Sequence, residues 1–120
     1  MSQKKGFAAE TLACDYLLHQ GLHWRASNFR TRAGEIDLIM QDGSYIVFVE
    51  VRARTSKAYG DAIESITYAK CQKILRAALY YLQRHGLYDR YMSRFDVVTV
   101  QGNPPTIEWI KHAIEMDELK

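Results

Sequence analysis

The stretch Gly34-Glu35-Ile36-Asp37-Leu38-Ile39-Met40-Gln41-Asp42-Gly43-Ser44-Tyr45-Ile46-Val47-Phe48-Val49-Glu50-Val51-Arg52 decides the fold. Two runs rich in β-branched and aromatic residues flank Asp42-Gly43, a strong two-residue hairpin signal. Taken as the turn, that dipeptide predicts a register in which Met40 faces Tyr45 and Asp37 faces Phe48. Side chains alternate along a strand, so Ile36, Leu38, Met40, Val47, Val49 and Val51 share one side, and Asp37, Glu50 and Arg52 share the other. In this register Asp37 and Glu50 are diagonal neighbours, roughly 7 to 8 Å apart at the backbone, close enough to hold one divalent cation between them. Glu35 falls opposite Glu50, and the cluster would repel itself without a metal, Arg52 or water. Acids on an antiparallel sheet are usually solvated. Here Ile39, Ile46 and Phe48 lie on the same side, and acids at the rim of an apolar patch indicate a cleft.

Upstream, Lys4 to Gln20 contains no proline and reads as a helix stopped by Gly21. At the helical period, Phe7, Ala9, Ala13, Cys14, Leu17 and Leu18 form an apolar arc, with Thr11, Asp15 and His19 opposite. Glu10 falls inside the arc. An inward carboxylate needs a partner, either an arginine of the sheet or a metal shared with the hairpin acids. Leu22 to Phe29 reads as a first strand. Downstream, Thr67 to His85 reads as a helix with Thr67 as N-cap and Gly86 as stop, followed by strands Arg94 to Gln101 and Ile107 to Lys111 around Asn103-Pro104-Pro105. A strand, helix and strand in succession imply a right-handed crossover, so the strand from Arg94 should run parallel to one strand of the hairpin. The expected fold class is α/β, a mixed central sheet flanked by helices in the order αβββαββ.

The 120 residues suit one domain, 1–120, and 48% apolar with 25% charged residues are ordinary globular values. No apolar run is long enough to cross a membrane, and the N-terminus lacks the pattern of a cleaved signal, so a cytoplasmic protein without a membrane partner is expected. Cys14 and Cys71 sit on apolar arcs and read as free thiols. His19, His23, His85 and His112 show no ligand spacing and read as surface or cap residues. There is no phosphate-binding glycine loop, nucleophile elbow or internal repeat.

The net charge of +2 is small but unevenly distributed. Between Ser65 and Arg94, six basic residues (Lys70, Lys73, Arg76, Arg84, Arg90, Arg94) face one acid, Asp89. On the second helix Cys71, Ile74, Leu75, Ala78, Leu79 and Leu82 form the inward stripe, and Lys70, Lys73, Arg76, Tyr80 and Arg84 point away. Arg25, Arg30, Arg32, Arg52, Arg54 and Lys57 lie near the acidic hairpin in sequence. Basic groups around paired carboxylates fit phosphodiester chemistry, with Arg32, Arg54, Lys70, Lys73 and Arg76 as candidate nucleic-acid contacts.

Asp37, twelve intervening residues, then Glu50-Val51-Arg52, on a hairpin that follows a helix bearing Glu10, resembles the PD-(D/E)xK nuclease superfamily. Within it, Gly6, Glu10, Gly34 to Ile39, Phe48 to Arg52, Lys70 and Arg94-Phe95-Asp96-Val97-Val98 resemble the YraN-like bacterial family of predicted endonucleases, which is similar to archaeal Holliday-junction resolvases. The resemblance implies a restriction-endonuclease-like fold. It also implies metal ligation by Asp37, Glu50 and the backbone carbonyl of Val51, with Glu10 a further acidic contact, directly or through water. Hard oxygen donors imply Mg²⁺ or Mn²⁺. Glu10, Asp37, Glu50 and Arg52 are then the catalytic candidates, and DNA, branched or damaged, is the expected partner. Symmetric cleavage of a junction would call for a homodimer, for which Trp24, Tyr88, Tyr91 or Trp109 could supply contacts, although such aromatics more often belong to a core. Arg52 stands where the superfamily motif usually has lysine. A guanidinium can clamp a phosphate but cannot accept a proton near neutral pH. Either metal-activated water suffices, or Lys70 substitutes, or the fold binds nucleic acid without cleaving it. Arg94 and Asp96 read as a structural ion pair.

Overall fold

The computed structural model describes residues 2–54 and 66–114. The elements are α1 (Ser2–His19), β1 (His23–Arg30), β2 (Glu35–Asp42), β3 (Tyr45–Arg54), α2 (Tyr68–Arg84), β4 (Met92–Gln101) and β5 (Thr106–Ile114), in the predicted order. They form one five-stranded sheet in which spatial order follows chain order. β1, β2 and β3 are antiparallel neighbours, β3 and β4 pair in parallel along ten residues across the α2 connection, and β4 and β5 are antiparallel. Thr67 caps α2 as predicted, its hydroxyl accepting the Lys70 N–H at 3.1 Å.

A helix covers each face of the sheet. On one, α2 lays Ile74, Leu75, Ala77, Ala78, Tyr81 and Leu82 against Ile39, Ile46, Phe48, Phe95 and Val97. On the other, Ala13 and Leu17 of α1 meet Leu38, Met40, Val47, Val49 and Val98. β3 and β4 are therefore buried on both sides, which is why they read as nearly continuous apolar runs. The mixed sheet between two helices is compatible with a restriction-endonuclease-like fold. Tyr81 joins the core although the apolar period of α2 left it out, and Leu79 is only half-buried. Trp24 and Tyr88 are exposed rather than core. Cys71 is buried and Cys14 half-buried, both as free thiols whose pKa burial pushes up. No helix among the described residues is long and apolar enough to cross a membrane.

The hairpin register differs from the predicted one by two residues. Asp42 pairs with Tyr45, Met40 with Val47 and Ile39 with Phe48, so the turn is Gly43-Ser44 and not Asp42-Gly43. Gly43 adopts φ 59°, a left-handed backbone at the first central turn position, for which glycine followed by serine is as good a sequence as Asp-Gly. A shift by two preserves the faces along the paired rungs, although Ile36, expected beside Leu38 and Met40, packs with the α2-side cluster; it moves Asp37 from a diagonal position to the one across from Glu50, a step beyond the last paired rung. Glu35 correspondingly leaves Glu50 and pairs with Arg30 of β1, at 3.3 Å.

The loop between β1 and β2 is fixed locally. The Thr31 hydroxyl accepts the N–H groups of Ala33 and Gly34 at 3.1 and 3.0 Å and lies 3.0 Å from the Gly34 carbonyl. Gly34 presses against α2, where a Cβ would stand 2.7 Å from the Lys73 carbonyl oxygen. Space, not backbone conformation, requires glycine here. Gly34→Ala should cost about 1–3 kcal/mol through overpacking against a backbone that cannot yield. Urea unfolding checks this, and a loss under 0.5 kcal/mol would show that the loop moves aside freely.

Candidate functional site

The β2–β3 ladder ends at Leu38 and Val49, although β3 continues alongside β4 to Arg54 and β2 continues alongside β1 to Glu35. The two strands diverge beyond that pair and leave a fork. Asp37 fills it: its Oδ2 accepts the Val51 N–H at 2.8 Å, a donor released by the missing rung. Glu50 lies across the fork, 6% exposed, and shares a hydrogen bond with Asp37. Burial first, then the Glu50 charge, push the Asp37 pKa from its ordinary 3.8 up to about 8, against the opposing Val51 hydrogen bond. At neutral pH the metal-free Asp37 therefore keeps its proton.

Two cations attend Glu50. Lys70 Nζ, from the first turn of α2, is 2.7 Å from Glu50 Oε2, and Arg52 Nη2 is 3.0 Å from the same oxygen. The Arg52 contact is ionic without hydrogen-bond alignment. Its Nε and Nη2 are buried and have no hydrogen-bond partner among the described residues. Buried guanidinium donors without acceptors are rare and mark a place where an anionic oxygen would bind well.

Glu10 reaches the fork from α1. Burial raises its pKa, as do the charges of Glu35 and Glu50, while a hydrogen bond from Asn28 and the charge of Arg30 oppose the rise. Asn28 sits in β1 between the Ser27–Leu38 and Phe29–Ile36 pairs with φ 52°. Among the described residues no arginine of the sheet pairs with Glu10 directly: it lies in the field of Arg30 and of the hairpin acids, and it takes a hydrogen bond from the Asn28 amide. Among the described residues no group of three His, Cys, Asp or Glu side chains is arranged to hold a metal.

The expected catalytic candidates thus gather at one end of the sheet: Asp37 in the fork, Glu50 and Arg52 beside Lys70 of α2, and Glu10 at the border. Of the expected nucleic-acid contacts, Lys70 belongs to this cluster, Lys73 and Arg76 lie exposed on α2, and Arg32 lies exposed on the β1–β2 loop. The Arg54 side chain and Lys57 lie outside the described residues. Arg94 and Asp96 stand apart on the α1 side as the structural pair predicted from sequence, with Arg94 Nε 3.1 Å from Asp96 Oδ2. Sequence reasoning missed Asn28, whose polar side chain inside a strand was the available signal.

A divalent cation can be tested against this donor set. Mg²⁺ characteristically takes one or two carboxylates and completes its shell with water and substrate phosphate, which the Asp37–Glu50 pair fits. Two carboxylates crowded until one retains its proton supply the negative charge such an ion would neutralise. The Lys70 ammonium already provides part of that compensation.

Comparison with other proteins follows the same residues. A family model described as "Uncharacterised protein family UPF0102" matches residues 9–100. A UPF0102 protein of Legionella pneumophila is 45% identical over 115 residues, 96% of this chain and 98% of the relative. One of Alkalilimnicola ehrlichii is 53% identical over 108 residues, 90% of this chain and 84% of the relative. One of Coxiella burnetii is 44% identical over 117 residues, 98% of this chain and 97% of the relative. The match takes in the helix with Glu10, the hairpin acids, Lys70 and the Arg94–Asp96 pair, and the chain belongs to the UPF0102 or YraN-like family, a member of the PD-(D/E)xK-like nuclease superfamily.

Proposed function

We propose that the protein is a metal-dependent endonuclease that hydrolyses phosphodiester bonds in DNA. The observation that supports this reading most directly is the fork between β2 and β3, where Asp37 and Glu50 meet beside the Arg52 guanidinium, which is ion-paired with Glu50 but keeps buried N–H groups without a hydrogen bond among the described residues. Asp37 and Glu50 would hold Mg²⁺ or Mn²⁺, with the Val51 carbonyl as the neighbouring backbone oxygen. When bound, the ion supplies an acidified water and neutralises charge on the phosphoryl oxygens. Arg52 offers its free N–H donors to a phosphate oxygen and fixes the register of the strand. Lys70 supplies a positive charge and a proton at Nζ beside Glu50, where Arg52 cannot exchange one. Glu10, bordering the fork and held by Asn28, orients water next to the pair.

Incubation of labelled junction, flap, single-stranded and duplex DNA with Mg²⁺ or Mn²⁺ tests the reading. Cleavage should appear with at least one of them, vanish in EDTA and fall by about 10²-fold or more in Asp37→Asn and Glu50→Gln. Product that is independent of both metal and Asp37, or no product on any substrate, overturns it. A second reading, a nucleic-acid-binding module without cleavage, is favoured by one observation: Glu50 already has Lys70 and Arg52 as counter-charges. Its signature is salt-dependent binding that survives Asp37→Asn and weakens when Lys73 or Arg76 loses its charge.

A further inference from the structure

Beside the acidic fork, the β1–β2 loop and the outer side of α2 enclose an open cleft of about 460 Å³, lined among others by Phe29, Arg30, Arg32, Arg76, Tyr80 and Arg84. That volume lies within the roughly 300–1,000 Å³ of ligand-holding clefts. Four guanidiniums line it, and only Arg30 has a carboxylate partner among the described residues, Glu35 at 3.3 Å. Such an excess of arginine suits a phosphate. The cleft also presents aromatic surface. Tyr80 is 48% exposed, its ring 6.3 Å from that of Phe29 and inclined at 31°. The Arg84 guanidinium sits 6.0 Å from the Tyr80 ring centre and donates to the Tyr80 hydroxyl at 3.3 Å, which steadies the ring. Thr31 closes the opposite wall, and the contact of Gly34 with Lys73 holds that wall against α2. The cleft is therefore pre-formed and is not a chance gap between mobile side chains.

We infer that this cleft binds one unpaired nucleotide of a single strand, the base stacked on Tyr80 and its phosphate held by Arg32, Arg76 and Arg84. A base in a duplex has no free face to offer Tyr80, so the cleft selects DNA with an unpaired segment next to the cleavage site. Arg76 is six residues beyond Lys70 on α2, about 9 Å along the helix axis, so one strand can occupy both places. The inference rests on the protein engaging nucleic acid, and it does not require cleavage.

Fluorescence anisotropy in EDTA tests it, with three 15-residue probes: oligothymidylate, a strand of the same length with abasic sugars, and a blunt duplex. Oligothymidylate should bind at least about tenfold tighter than the abasic strand, the usual effect of one stacked base. Tyr80→Ala should remove that difference and Tyr80→Phe should keep it. Arg76→Ala should weaken every probe and lower the slope of log affinity against log salt by about 0.7 on single strands. Arg90→Ala, an equal charge loss elsewhere, should leave the ratio unchanged. Equal binding of the thymidylate and abasic strands, or a ratio unaffected by Tyr80→Ala in a normally melting protein, overturns the nucleotide site alone. Absence of salt-dependent binding to any probe overturns it together with the nucleic-acid reading. Loss of cleavage without loss of the base-dependent ratio overturns only the nuclease.

Discussion

Asp96→Ala is expected to destabilise the protein by about 3–5 kcal/mol, the usual cost of stripping a buried charge of its partner. The Asp96 carboxylate is fully buried and accepts four hydrogen bonds: Arg94 Nε to both oxygens at 3.1 Å, Trp109 Nε1 at 2.9 Å and the His112 N–H at 3.1 Å. Alanine would leave Arg94, itself 5% exposed, with Asp42 as its remaining carboxylate, at 2.9 Å. It would also leave the Trp109 Nε1–H and the His112 N–H, both in part-buried hydrogen bonds, without their acceptor. The Arg94 guanidinium lies 5.3 Å from the Tyr45 ring centre and 5.9 Å from that of Trp109, so the disturbance would reach β3 and β5 together. At about 4 °C per kcal/mol the melting temperature should fall by about 12–20 °C. In a double-mutant cycle with Arg94→Met, the pair should cost clearly less than the sum of the single changes. A loss below 1 kcal/mol for Asp96→Ala would remove the network from the account of stability.

Asp37→Asn should act in the opposite direction. Asparagine reproduces the neutral carboxyl, keeps an oxygen for the Val51 N–H and places an amide donor towards Glu50. In the wild type, Asp37 holds its proton to about pH 8 in the folded chain, against an ordinary 3.8. Between those values the folded state carries a proton that the unfolded state has lost. The stabilisation is complete below pH 4, falls by up to about 1.4 kcal/mol per pH unit as pH rises, and is gone above pH 8. Thermal melts in EDTA from pH 5 to 9 should show this decline in the wild type and a much flatter profile in Asp37→Asn, with the variant the more stable protein at pH 8. Calorimetric titration at pH 8 should show Mg²⁺ and Mn²⁺ binding lost or weakened at least about tenfold in the same variant. A variant less stable than the wild type across the whole range would make Asp37 a structural residue. Stability and ion binding moving in opposite directions is what a functional carboxylate predicts, since ionising it costs the metal-free fold and serves only the ion.

Much of this architecture was legible in the chain because local signals agreed with the global fold. Thr67 and Gly86 bracket α2, the apolar period of that helix placed its charges outward, and the strand from Arg94 lies parallel to β3 as the crossover demanded. The Arg94–Asp96 pair was also visible as two opposite charges in an apolar run. The register was not, because Asp42-Gly43 and Gly43-Ser44 are both good turns and the sequence contains both. That one choice changed the chemistry: the observed register brings Asp37 closer to Glu50, whose charge adds to burial, the larger cause, in raising the Asp37 pKa. Glu10 was recognisable as an inward acid, but its hydrogen bond to Asn28 depends on a backbone twist that no side-chain period announces. The arginine-lined cleft escaped notice for a similar reason. Arg32 and Arg76 are far apart in sequence, and it takes the packed core under α2 and the close approach of Gly34 to Lys73 to bring their elements together.

Both outer strands of the sheet carry one residue in the left-handed region, Asn28 in β1 at φ 52° and His112 in β5 at φ 51°. Around His112 the β4–β5 pairing steps from Val97–Ile110 to Phe95–Ile114, so three residues bulge opposite Asp96. A kink of this kind breaks the row of outward peptide groups that a foreign strand would need as a template. At the β5 margin the sheet thus resists the addition of a further strand, which guards a strand-rich chain against fibrillar growth.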